Sequence, residues 1–394
     1  MNRTAGGVRP AVLVAVGAVA LVVTVLIGYA VTGATGADPG PSATPTRRAS
    51  TATAPGRTVP GRFTVGVGHD QASRTDGAAP AALARARAQL RALRGVQTVR
   101  LMGWGTDNPE PSPGRYDWAS LDRRIAEIAR TDGIPVVVLF GAPDWMKGGR
   151  AGHTDWDRLA DRPDAAHFRD FAALAVALAR RHPEVRYFQV WRGFENFWNE
   201  DANRWDQESY TALYNTVYDA LRKQDPAMHV GGPDMPVEAY RDPHAAGYPS
   251  GVRGPWGTVD QRPLDALGYW LAHKHGAQFL TLGTELDTRD GYHPPTAQAV
   301  SRYGALSAWI RARTSLPVWW SVISAPARAG SALMTPASLR AALTAMRDGG
   351  ARVAVFDGPQ CEDPHQPCLW TDTRTADGGR PTDLAPVLRA FAAG

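Results

Sequence analysis

The sequence predicts an α/β fold of the (β/α)8 TIM-barrel class, preceded by one N-terminal transmembrane helix and a disordered linker. Three observations carry this expectation. Eight short runs rich in Val and aromatic residues follow one another between residues 62 and 358. Segments with apolar residues at three- and four-residue spacing, the period of an amphipathic helix, fall between them. The body after the linker is roughly 330 residues long, room for eight strand-helix units with inserted loops.

Taken in order, residues 1–9 are a short N-terminal stretch carrying Arg3 and Arg9. The charge-free block that begins at Pro10 contains AVLVAVGAVALVVTVLIGYA, as long as the about 20 residues that cross a bilayer core. Residues 10–32 are therefore expected to be a signal anchor. Positive charge on its short N-terminal side predicts that this end stays in the cytoplasm and the remainder lies outside. A cleaved signal peptide, with Thr35 and Ala37 as the cleavage site, is the competing reading and would give a secreted protein. The apolar block exceeds the roughly 7 to 15 residues usual in such signals, which favours the anchor.

Residues 33–62 are Pro, Ser, Thr, Ala and Gly with scattered arginines, a composition that cannot bury enough apolar surface to order itself. The net charge of +5 resides in residues 1–62, where six arginines face only Asp38, and acids balance bases in the rest. A basic tail beside a membrane explains the high isoelectric point, and no nucleic-acid partner is expected. The only cysteines, Cys361 and Cys368, share one loop; in an oxidising location outside the membrane they are expected to form a disulfide. Neither a metal site nor a cofactor is expected, because no HExxH or comparable cluster occurs.

The strands of the body (63–394) are expected at 62–68, 96–103, 134–141, 186–191, 228–233, 278–284, 316–322 and 352–358, with helices including 82–94, 120–130, 168–181, 209–223 and 301–313. Near-continuous apolar strands fit a parallel sheet covered on both faces. A doubly wound open sheet competes, but GVGHDQ after the first strand lacks the third glycine and helix start of a dinucleotide fingerprint. In a TIM barrel the working face is built from the loops after the strands. Those exits hold Trp104, Trp145, Trp191, Trp320 and Trp370, expected to stack on sugar rings, whereas Trp319 is expected in the core. His69 with Asp70, and Asp144, are further hydroxyl-binding candidates, although such residues also serve as turn and cap residues.

The segments VRLMGWGTDNPEPSPGRYDWASLD, VVLFGAPDWMKGG, YFQVWRGFENFWNEDANRWDQESY, HVGGP and LPVWWS resemble an actinobacterial branch of the clan A glycoside hydrolases, similar to family 39 xylosidases and family 5 cellulases. The resemblance implies a TIM barrel in which a Trp-Asn-Glu motif closing strand four supplies the acid/base and a glutamate ending strand seven is the nucleophile. Retaining chemistry needs both carboxyl groups, about 5 to 5.5 Å apart. Carried over residue by residue, Trp191 matches the motif's tryptophan, Arg192 replaces its asparagine, and Gly193 and Val322 stand at the two glutamate positions. A literal Trp198-Asn199-Glu200 occurs further on, in what the resemblance makes the downstream loop.

Displaced carboxylates are the alternative, with Glu195 and Glu285 as fallback candidates; ion pairs with Arg192 and Arg289 are their structural counterpart. An Arg192 guanidinium would also suit an acidic sugar or phosphate. The sequence thus points to a membrane-anchored extracytoplasmic protein with a saccharide-binding cleft and impaired hydrolysis, acting on cell-envelope or exported polysaccharide. An active β-glycoside hydrolase using Glu195 and Glu285 is the second reading, and a structural or partner-binding barrel the third. The oligomeric state is left open.

Overall fold

The computed structural model describes residues 57–73, 75–192, 194, 196–242, 244, 248–322, 334–362 and 367–392. The expected anchor at 10–32 and almost all of the linker lie outside the described residues. Among the described residues no helix is long and apolar enough to cross a membrane.

Eight parallel strands close into a barrel: β1 (Thr64–Gly68), β2 (Val96–Arg100), β3 (Ile134–Leu139), β4 (Tyr187–Val190), β5 (His229–Pro236), β6 (Phe279–Gly283), β7 (Val318–Val322) and β8 (Val353–Asp357). Each pairs with its neighbour in sequence, and β8 pairs back to β1 with Thr64 opposite Val353. Among the described residues eight α-helices surround it: α1 (Pro80–Leu93), α2 (Ala119–Arg130), α3 (Phe168–Arg181), α4 (Gln207–Gln224), α5 (Gln261–His273), α6 (Thr296–Arg311), α7 (Pro336–Asp348) and α8 (Leu384–Ala392). The eight-beat alternation read from the sequence is therefore the architecture. Strand ends moved by a few residues, most at β5, which runs on through Asp234 to Pro236.

The period-2 alternation of each strand divides its side chains between two cores. Val96, Ile134, Val136, Tyr187, Phe279, Trp319, Val353 and Val355 meet inside the lumen, where Trp319 stacks on Phe279 with ring centroids 4.1 Å apart. Their neighbours one residue along, such as Val65, Val67, Val99, Val137, Phe188 and Trp320, pack outward under the helices. Trp319 is thus a core residue, as the sequence indicated. Val59 sits against the inner cluster and its N–H donates to Tyr187 Oη at 2.9 Å. The chain entering the barrel therefore closes its N-terminal end.

Two insertions decorate the other end. Trp198–Asn199 pairs with Arg204–Trp205 as a short ribbon after β4, and Ala239–Tyr240, Pro249–Gly254 and Gly257–Asp260 make a three-stranded sheet after β5. Glu200 of the literal Trp-Asn-Glu lies exposed in the turn of that ribbon. Cys361 and Cys368 form the expected disulfide in the loop after β8.

Candidate functional site

Towards the C-terminal ends of the strands the lumen changes character. The inward positions that follow the apolar cluster are Thr98 and Arg100 on β2, Gln189 on β4, Asp234 on β5, Thr281 on β6, Ser321 on β7 and Asp357 on β8, and with Arg192 they line one open concavity of about 460 Å³. Val138, Val355 and Trp319 add apolar surface, and Trp320 borders the concavity although its ring packs outward against Tyr303. Leu or Val at these positions would extend the core by another layer. A polar layer here instead presents donors and acceptors to whatever enters.

Asp234 owes its position to a break in strand register. Pro233 lies opposite Thr281 and Met235 opposite Leu282, so Asp234 is an extra residue in β5, a bulge that re-aims its side chain. Its φ of 57° is left-handed, a conformation costly for most residues and tolerated best by Asp and Asn among those with a Cβ. Hydrogen bonds to β6 and β7 help to hold it. The Asp234 N–H donates to Thr281 Oγ1 at 2.7 Å, and Ser321 Oγ donates to Asp234 Oδ1 at 2.9 Å. Backbone strain fixed by neighbouring side chains is a feature of functional sites.

Asp357 closes β8 against β1. Its Oδ1 occupies the space that a Cβ on Gly68 would need, 1.8 Å from that point. Asp70, just beyond β1, has a carboxyl raised by burial, partly offset by hydrogen bonds from Ser73; the charge of Arg100 lowers it and that of Asp357 raises it. Next along the rim, after β2, the guanidinium of Arg100 lies 4.1 Å over the Trp104 ring and that of Arg192 5.7 Å from it. The mouth therefore combines two carboxylates, two guanidinium groups and neutral hydrogen-bonding side chains. That set matches the needs of a neutral or acidic polyhydroxyl compound.

Solved structures with this architecture are numerous. An enzyme of glycoside hydrolase family 39 from Xanthomonas axonopodis is 19% identical with a TM-score of 0.55, covering 88% of this chain and 72% of its own. A monomeric β-xylosidase from Caulobacter crescentus is 17% identical with a TM-score of 0.54, covering 84% and 68%. A hyperthermostable endo-1,4-β-D-mannanase from Thermotoga petrophila is 13% identical with a TM-score of 0.54, covering 84% and 99%. The fold is that of the clan A glycoside hydrolases. No protein-family model matches the sequence, and no curated protein matches it.

In this glycosidase-like barrel the residues expected from sequence separate into groups. Arg192 lines the concavity, and Trp104, at φ 48°, stands at its rim. Trp191, Trp320 and Trp370 are buried. Trp191 packs among Phe140, Phe171 and Phe197, and Trp320 meets Tyr303 of α6 edge-on at 5.0 Å. Trp370 is 2% exposed and bridges Gln360 to Pro381. These three rings fill the helix-barrel interface and offer no open face to a sugar, because their strand parity or local turn directs them away from the lumen. Trp145 donates from Nε1 to Glu110 O at 2.9 Å and packs on His167, holding two loops together.

Asp144 is 2% exposed and accepts from Asp155 N at 2.7 Å and from His153 at 3.1 Å, so it organises the loop after β3. His69 lies outside the lumen, behind β1. Gln97 donates its amide to Thr131 Oγ1, which leaves Gln97 Oε1 to accept from His69 Nε2 at 2.9 Å. Burial lowers the His69 pKa to about 4, so the ring is neutral with its lone pair at Nδ1. His69 borders a second cavity with Arg124 and Glu127, but there Arg124 donates to the backbone of Asp70, Ser73 and Trp104, joining loops.

Gly193 and Glu195 lie outside the described residues. Val322 is the last residue of β7, paired with Phe356. Glu285 does not border the concavity; its carbonyl accepts from the buried Arg302 of α6. Its expected partner Arg289 forms its ion pair with Glu238 instead, because the loop after β5 brings that carboxylate alongside. Asp234, Asp357, Arg100 and Gln189 were missed by the sequence reading. For Arg100, Gln189 and Asp357 the signal was a polar residue at the last inward position of the strand; Asp234 sits on a bulge.

Proposed function

We propose that this chain is a saccharide-binding protein on a glycoside-hydrolase barrel, tethered to the outer face of a cell membrane by residues 10–32, with hydrolysis by a strand-four and strand-seven glutamate pair absent or much reduced. The observation that carries the binding reading is the convergence of Arg100, Gln189, Asp234, Thr281, Ser321 and Asp357 on one concavity. Such groups gain nothing from packing and cost free energy when desolvated without partners. Partners within the protein hold several of them in place, and a ligand rich in hydroxyls would add hydrogen bonds to their remaining donors and acceptors. Gly193 and Val322, at the positions where the resemblance expects glutamates, support the loss of hydrolysis. A cell-envelope or exported polysaccharide is the ligand in keeping with the anchor.

One observation favours a second reading. Asp234 and Asp357 are two carboxylates on one concavity, better placed than Glu285 to act on a bound glycoside. The test uses the full-length chain in detergent, with affinity electrophoresis on xylan, mannan and β-glucan and release of aryl alcohol from the matching aryl β-glycosides. The expected result is retardation on at least one glycan, lost in Asp234→Asn, with no release above buffer. Turnover that disappears in Asp357→Asn while retardation persists would establish the second reading. No retardation on any glycan would leave a structural or partner-binding barrel.

A further inference from the structure

We infer that the ligand is a saccharide chain that leaves the mouth and lies across a ledge formed by the loops after β2 and β3, stacking on Tyr116 and Trp156; this rests on the saccharide-binding reading above. Among the described residues the exposed large hydrophobic side chains are Tyr116, Trp156 and Tyr248, at 45%, 47% and 48%. They lie in the loops after β2, β3 and β5 respectively. Every one is on the face where strands end, the face that carries the polar concavity. Single exposed aromatics scattered over a surface need no explanation, but confinement to the face with the site does. Tyr248 has Arg262 over its ring at 4.9 Å. The ledge therefore rests on the other two.

Their loops form one hydrogen-bonded body. Asn108 Nδ2 donates to Thr154 Oγ1 at 2.9 Å, Gly152 N to Pro111 O at 2.7 Å, and Trp145 Nε1 to Glu110 O at 2.9 Å. Tyr116 is held on one side by Trp118, with centroids 5.1 Å apart and planes 17° from parallel, which leaves its other face to solvent. Trp156 begins the one-turn helix Trp156–Arg158, and the next residue, Leu159, lies so close to Gly103 and Gly141 that a Cβ there would be 2.3 and 2.7 Å from its methyl groups. Those glycines follow the ends of β2 and β3, and Trp104 of the mouth rim is adjacent. These contacts tie the loop of Trp156 to the strand ends beside Trp104, whose ring packs on Arg100 of the concavity. A flat aromatic fixed by its neighbours loses little conformational entropy on binding, which suits a ring-by-ring contact with a polymer.

Calorimetry on the full-length chain with di- and hexasaccharides of β-1,4-linked xylose, mannose and glucose tests this. For the glycan that binds, the hexasaccharide is expected to bind at least about tenfold more tightly than the disaccharide, given about 2- to 12-fold per stacked ring. In Tyr116→Ala/Trp156→Ala that ratio falls to about two with disaccharide affinity unchanged, and Tyr116→Phe keeps its share. A ratio that survives in the double variant, or equal affinities for both lengths in the unaltered chain, overturns the ledge while the saccharide site stands. Failure of all six oligosaccharides to bind overturns both.

Discussion

Substituting two glycines of β1 separates what holds the barrel from what equips its mouth. A Cβ on Gly66 would lie 2.3 Å from Val96 O and 2.9 Å from Val96 C, both backbone atoms of β2. Neither can yield without parting β1 from β2 by about an ångström, and overpacking of this kind costs roughly 1–3 kcal/mol. At Gly68 the nearest atoms, Asp357 Oδ1 at 1.8 Å, Asp357 Cγ at 2.9 Å and Thr98 Oγ1 at 3.2 Å, all belong to side chains. Asp357 can turn to another staggered rotamer, giving up contacts that its carboxylate now makes in the protein, and the smaller entropy of the unfolded Ala chain returns roughly 0.4–1 kcal/mol. Gly68→Ala should therefore be destabilised less in urea unfolding than Gly66→Ala, which falls below the unaltered protein by roughly 1–3 kcal/mol. Moving the Asp357 carboxylate should remove a charged hydrogen bond to the ligand, about 1.5–3 kcal/mol or roughly a 10- to 100-fold loss of glycan affinity. Normal glycan binding by Gly68→Ala, or a stability loss equal to that of Gly66→Ala, would refute the assignment of Asp357 to the site.

Three further outcomes follow from burial. The folded pKa of His69, lowered from 6.5 to about 4, lies below its unfolded value, so its contribution is whole above pH 6.5 and is lost as pH falls toward 4, by about 3 kcal/mol at most; His69→Gln should flatten that part of the stability-pH curve. Trp191→Ala should cost about 3–5 kcal/mol in unfolding experiments, because the fully buried ring packs against Phe140, Phe171 and Phe197. The Cys361–Cys368 bridge spans a sequence separation of 7, which the chain-entropy model values at about 2.5 kcal/mol; Cys361→Ser/Cys368→Ser should lower the urea midpoint accordingly and leave its slope unchanged.

The barrel was legible because its signal is repeated. Eight apolar runs alternating with helical periodicity leave few architectures open, and an error of two residues at one strand end does not alter the count. The site was less legible because a mouth depends on parity within each strand. Trp191 and Trp320 look like a sugar platform when ordered along the chain, yet Trp320 has the outward parity of β7 and meets α6, and Trp191, although it shares the parity of Gln189, is turned under α3 by a left-handed φ of 64°. Asp234 was hidden for a different reason. A bulge is a local insertion in the pairing of β5 with β6, and nothing in HVGGPDMP alone states its register against FLTLG.

Parity also bears on the end of strand seven. Trp319 faces the lumen, Trp320 faces α6, and Ser321 faces the lumen again, where it donates to Asp234. An inward group at the mouth of this strand is therefore a serine hydroxyl engaged with a carboxylate from β5. A hydroxyl so placed differs from a carboxylate nucleophile, since it must lose its proton before it can attack and the acceptor facing that proton is the weakly basic carboxylate of Asp234. It can instead fix the orientation of Asp234. Ser321→Ala would leave the charge of Asp234 in place and remove one hydrogen bond that orients its carboxylate, a change that acts on ligand affinity through geometry.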